Sequence, residues 1–321
     1  MEGAVPGQRA AHPRTDRPAS ESAPGVRGAR DGIRAVPFKG PALAEVAYGD
    51  IALRTFSDLD ILVRERDILN VKELLIAGGF HPWHAFTKRQ EAAFLKWVKE
   101  YPFESGNGEV QLDVHWRFAL QYMGGRDICG ALDRARPGRV GGGEVSLLSD
   151  EDTLLMLCLH GTHHLWNILG LVCDVARFLE SRAGIDLPGA LRTAGEFGLR
   201  RDVLLGLALA RDLLGAQLPE GIGDAIEKDR AVGTLRAHVR STLFRRGAEP
   251  GFLETGWFKL KQIDRFADKA GYLLSRALSP SVADWKRFPL PDSLYFLYFL
   301  YRPLRLLGLA SPPPPPDPNT R

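Results

Sequence analysis

The chain has 321 residues, 45% of them hydrophobic and 25% charged, which supplies core material for one large or two ordinary domains and excludes a chain disordered throughout. Its 42 Lys and Arg exceed its 39 Asp and Glu by a formal charge of only +3, so nucleic acid is not indicated as a partner by overall charge. Cys129, Cys158 and Cys173 form no CxxC pair and leave an odd count, which argues against a disulfide framework or a cysteine zinc site and for a cytoplasmic protein.

Residues 1–30 carry almost no large apolar side chains and read as a disordered tail, without the apolar stretch of a secretory signal. Ile33 to Phe38 then reads as a short strand, Pro41 to Tyr48 as a helix stopped by Gly49, and Asp58 to Val63 as a strand with Leu59, Ile61 and Val63 on one face. Arg66 to Ala77 is helical, stopped at Gly78 and Gly79, and Glu91 to about Val98 adds another helical stretch. Two β-like runs, Val98 to Ser105 and Glu109 to Phe118, flank Gly106-Asn107-Gly108, a hairpin signal. From about 149 nearly everything reads as helix. Ser149 followed by Asp152 is a capping pattern, Pro188 opens a further helix, and Arg200 to Leu214, Ile222 to Phe244, Trp257 to Leu278 and Ser293 to Leu307 continue the series. Arg302, Pro303 and Arg305 interrupt the late apolar stretch, so no stable membrane insertion is expected. Pro312 to Pro316 lie in a stiff extended tail. The layout is therefore α+β: a tail (1–30), a small α/β core (31–148), a helical domain (149–309) and a Pro-rich tail (310–321).

The chemistry is carried by carboxylates. Asp58 and Asp60 flank Leu59, and strand alternation projects both from one face. Two such charges repel, and a divalent cation relieves that repulsion, although a bare Asp-x-Asp is also what a solvated strand face looks like. In the second run Leu112, Val114 and Trp116 alternate with Asp113 and His115. Asp113 thus offers a third carboxylate from a neighbouring strand, an arrangement suited to metal-assisted phosphoryl or nucleotidyl transfer, with His115 as a packing or supporting group. Upstream, a strand end runs into Lys39-Gly40 and a helix with Pro41 in its first turn, where backbone N–H groups and the lysine suit a phosphate. The spacing is neither that of a P-loop nor that of a dinucleotide fingerprint.

The blocks KGPALAEVAYGDIALRTFSDLDILV, QLDVHWRF, LCLHGTHHLWNILGLVCDVARFL, PSVADWKRFPLP and YRPLRLL resemble, in this order, the uncharacterised nucleotidyltransferase family of the DNA polymerase β-like superfamily. The resemblance spans about Gly32 to Leu309. It implies a small mixed-sheet nucleotidyltransferase core followed by an all-helical domain, with Asp58 and Asp60 matching the paired metal carboxylates and Asp113 the third. Lys39-Gly40 stands where the superfamily usually has Gly-Ser or Gly-Gly. The implied activity is transfer of a nucleoside monophosphate from an NTP to an unidentified acceptor, with release of pyrophosphate and with Mg²⁺ or Mn²⁺ as cofactor. The alternative is a nucleotide-sensing or partner-binding module on the same fold.

Arg54 is a candidate either for a phosphate contact or for pairing with Asp58, and Tyr48 either for stacking on a base or for closing the helix. His160, His163 and His164 share a helix without the Glu of a zinc hydrolase motif, which favours packing over metal ligation. Asp174, in an apolar run, is expected to be a buried partner of an Arg or His.

Overall fold

The computed structural model describes residues 32–118, 130–244 and 250–306; the two tails and Cys129 lie outside them. A five-stranded mixed sheet has the order β1-β2-β5-β4-β3, formed by β1 (Val36–Pro37), β2 (Asp58–Leu62), β3 (Phe80–Pro82), β4 (Glu100–Ser105) and β5 (Gln111–His115). Only the β2–β5 pair is parallel; β1 with β2, β5 with β4 and β4 with β3 are antiparallel. Between the strands lie α1 (Gly40–Leu43), which continues as a π-turn over Ala44–Tyr48, α2 (Ile68–Ala77) and α3 (Lys88–Trp97). Gly49, at φ +77°, ends the first of these as its position after Tyr48 requires. Thr87 and Gln90 close a reciprocal capping box at the start of α3.

A short helix α4 (Ala131–Arg134) and a separate hairpin, β6 (Arg136–Val140) with β7 (Gly143–Leu147), lead into the helical series. That series is α5 (Asp150–His163), α6 (Leu169–Ser181), α7 (Leu187–Glu196), α8 (Arg200–Leu214), α9 (Glu220–Lys228), α10 (Arg230–Thr242), α11 (Phe252–Gln262), α12 (Phe266–Leu278), α13 (Val282–Arg287) and α14 (Tyr298–Leu306), the last preceded by a 3₁₀ turn. Two expected long helices are divided. Asp229 turns the chain and accepts from the N–H groups of Ala231 and Val232, so Ile222 to Phe244 becomes α9 and α10. Trp257 to Leu278 breaks between α11 and α12, where Ile263 and Arg265 have extended backbone.

Each face of the sheet joins a different core. Ile61, Val63, Leu112, Val114 and Trp116 pack with α2, with Phe94 of α3, and with Trp285, Tyr295 and Tyr298 from the C-terminal segment. On the other face, Leu62 joins Val36, Phe38 and Leu43 in the large core built on α5, α6 and α8. Apolar packing therefore runs continuously past residue 148. The polar members of this second face, Asp58, Asp60, Asp113 and His115, sit where the sheet meets the helices.

Candidate active site

The register of the parallel pair sets the geometry. Asp58 lies opposite Gln111, Asp60 opposite Asp113 and Leu62 opposite His115, so the carboxylates of Asp60 and Asp113 stand side by side on adjacent strands. Ligand atoms of Asp60, Asp113 and His115 all lie within 4.8 Å of one another. Asp58 belongs to the same face but outside this tight trio; it is half-buried, and its carboxylate accepts from the Ser57 hydroxyl at 3.5 Å.

Asp60 is the buried anchor, 2% exposed. Its Oδ1 faces Nε2 of His115 at 2.8 Å and the ammonium of Lys39. Its Oδ2 is buried and has no hydrogen-bond partner. Burial alone raises a carboxylate pKa, but the His115 hydrogen bond and the Lys39 charge outweigh it, and Asp60 titrates below its ordinary value. Asp113 behaves oppositely: burial, and then the negative charges of Glu100, Asp60 and Asp58, push it up to about 6. An ionised Asp113 thus lacks a counter-charge of its own. A divalent cation against Asp60 Oδ2 and Asp113 would supply one, and oxygen-rich donors of this kind suit Mg²⁺ or Mn²⁺. The donor set therefore fits such an ion.

Lys39 and Gly40 form the adjoining turn. Phe38 donates its N–H to the Asp60 carbonyl at 3.2 Å, which carries the chain from β1 directly over β2. Gly40 has φ +51°, and a Cβ there would lie 2.8 Å from the Asp58 carbonyl oxygen. Only glycine allows this close pass. Lys39, expected to face phosphate, is buried and ion-paired with Asp60 instead.

Arg54 pairs with neither Asp58 nor an open cleft. Its Nε and Nη2 hold the two carboxylate oxygens of Asp174 at 2.9 and 3.0 Å, and Tyr48 donates its hydroxyl to the same carboxylate at 2.8 Å. Asp174 is thus the buried partner of an arginine; Tyr48 ties the end of the first helix to α6, and Arg54 ties the segment that leads into β2. The positive charge of Arg54 still reaches Asp60.

Glu100 and Lys99 also belong to the site and were not singled out from the sequence. Glu100 stands opposite His115 in the β4–β5 hairpin, with Oε2 3.4 Å from His115 Nδ1 and 2.5 Å from Lys99 Nζ. The usable signal was the Gly106-Asn107-Gly108 turn, whose register places position 100 beside position 115. His160 and His164 stack edge to face at 4.7 Å at the end of α5. Both are held below the usual histidine value by burial and by the charges of Lys39 and Lys99. Among the described residues they join no group of metal-ligating geometry.

Residues 28–215 match the model of a family described as uncharacterised nucleotidyltransferase, and the chain belongs to that family. A solution structure of the antibiotic-resistance factor ANT(2'')-Ia is also similar, at 14% identity over 67% of this chain and 85% of that one, with a TM-score of 0.30. That superposition is too loose to transfer a site or a substrate. No curated protein is significantly similar.

Proposed function

We propose that the protein transfers a nucleoside monophosphate from an NTP to an acceptor, releasing pyrophosphate. The observation that carries this reading is the in-register Asp60–Asp113 pair, with a buried, unpartnered Asp60 oxygen beside the Gly40 turn. Asp60 and Asp113, with Asp58 flanking them, would hold Mg²⁺ or Mn²⁺, which when bound neutralises charge on the phosphates. His115 and Lys39 fix the Asp60 carboxylate so that its free oxygen keeps one orientation. Gly40 leaves no side chain between its turn and β2. As the acceptor oxygen bonds to the α-phosphorus and the bond to the pyrophosphate oxygen breaks, the acceptor proton passes to a carboxylate oxygen of Asp113.

Incubation with α-labelled NTPs tests the reading directly. Asp58→Asn, Asp60→Asn and Asp113→Asn should each lower label transfer by roughly a hundredfold or more, the usual scale for removing a group that stabilises transition-state charge. Equal labelling by wild type and all three variants would reject it. Metal-dependent nucleotide binding without pyrophosphate release, measured by calorimetry, would instead favour the sensing module.

A further inference from the structure

A concavity of about 870 Å³ lies in the helical region, walled by α9, the starts of α8 and α10, the end of α11 and the first half of α12. Its floor is braced. Arg201 holds Asp229 at 3.0 Å and Asp264 at 3.4 Å, and donates to the Lys261 and Ile263 carbonyls that close α11. Both helix starts in the wall are already capped: Asp264 accepts from the Arg200 N–H at 2.9 Å, and Asp229 from Ala231 and Val232. Asp224 is taken by Lys228. The acidic groups here are thereby used up on Arg201, Lys228 and the backbone.

Four lining cations remain: Arg200, Arg230, Lys261 and Lys269. None of the four has an ion-pair partner among the described residues. They come from four different helices and converge on one hollow, whereas a merely solvated basic face would carry its charges along one helix. The hollow is also separate from the carboxylate site. On α11, Lys259 donates to the Thr162 carbonyl at the end of α5, at 2.9 Å. Lys261, two residues on, points to another side of the helix.

We infer that this hollow is a second binding site, for a small anion bearing several closely spaced phosphates. Its volume lies in the range of small-ligand pockets. Convergent cations on a rigid floor recognise multiple phosphate charges better than a single carboxylate. The inference does not depend on transferase activity.

Calorimetry of the full chain in EDTA, with inorganic tripolyphosphate as probe, tests it. Wild type and Asp58→Asn should bind alike, and Lys261→Gln/Lys269→Gln should weaken binding at least tenfold, as should Arg230→Gln to a smaller degree. Lys88→Gln/Lys96→Gln on α3 removes the same charge elsewhere and should leave the affinity unchanged. Three results would overturn the assignment: no binding by wild type, loss of binding in Asp58→Asn, or equal losses in the two lysine pairs. Far-ultraviolet circular dichroism confirms that each variant is folded, and all four substituted side chains in the pocket and control pairs are at least partly solvent-exposed.

Discussion

Gly40 and Gly49 both adopt left-handed backbone, yet only one has a neighbour in the way. A Cβ at Gly49 meets nothing within 4 Å, while one at Gly40 meets the Asp58 carbonyl at 2.8 Å. Left-handed backbone costs a non-glycine residue about 1–2 kcal/mol. Gly49→Ala should therefore lose about that much in urea unfolding. Gly40→Ala should lose more, and should also depress label transfer, because β2 must shift to admit the methyl group. Equal losses would show that the turn does not constrain the strand. Arg54 presents a cleaner separation of roles. The Asp174 side chain is 5% exposed, so Arg54→Ala leaves a buried carboxylate without its cation, at a cost of about 3–5 kcal/mol. Adding Asp174→Asn should recover much of that loss. If Arg54 instead served the triphosphate, Arg54→Ala would lower turnover while leaving the urea midpoint in place.

At the scale of elements, the α5–α6 connection shows packing overruling propensity. Leu165 and Trp166 have φ of +52° and +55°, and the buried Trp166 ring lies between two glycines. A Cβ at Gly161 would be 2.4 Å from that ring; one at Gly206 would be 2.6 Å from Cys158 Sγ and 3.1 Å from the ring. Replacing a helical glycine by alanine ordinarily gains up to about 1 kcal/mol. Gly233→Ala on α10, with open space around it, should show that gain in thermal melts. Gly161→Ala should show the reverse sign, a loss of about 1–3 kcal/mol, since the ring has nowhere to move. The same contrast explains what the sequence made legible. Arg200 to Leu214 is a helix with the expected ends because its signals are local, and the alternation around Asp60 and Asp113 gives both strands and their polar face. The β6–β7 hairpin was not expected because Arg136-Pro137-Gly138-Arg139 has no apolar alternation. Nor was the commitment of Lys39 to Asp60, or of Arg54 to Asp174 across 120 positions. Those pairings depend on how separate elements dock, which no local pattern encodes.

For the whole molecule, the two cores share the sheet, and Trp285, Tyr295 and Tyr298 complete the one beneath it. Heating should accordingly give a single calorimetric transition rather than separate ones for residues before and after about 148, with the calorimetric and van't Hoff enthalpies in agreement. The histidines at the end of α5 make that common stability depend on pH. Burial first, then Lys39, His164, Lys99 and His163, hold His160 well below its ordinary value. His164 is lowered in the same way, with Glu100 opposing and solvent at its exposed edge weakening the effect. In the unfolded chain these rings titrate near 6.5. Below that pH the unfolded state takes up protons the folded state refuses, so stability is full above about 6.5 and declines as pH falls toward the folded-state values. The slope is at most about 1.4 kcal/mol per pH unit for a ring that stays neutral in the fold, and less for the exposed His164. Asp113 acts in the opposite sense. With its pKa raised to about 6, it binds a proton more readily in the fold than unfolded, and it offsets part of the decline between pH 6 and 4. The difference between wild type and His160→Gln isolates the imidazole. In EDTA, urea unfolding at pH 7.5, 6.5 and 5.5 should show the wild type losing stability more steeply than the variant. Parallel slopes would mean that His160 accepts its proton in the native state as easily as in water, and that the cations of Lys39 and Lys99 do not reach it.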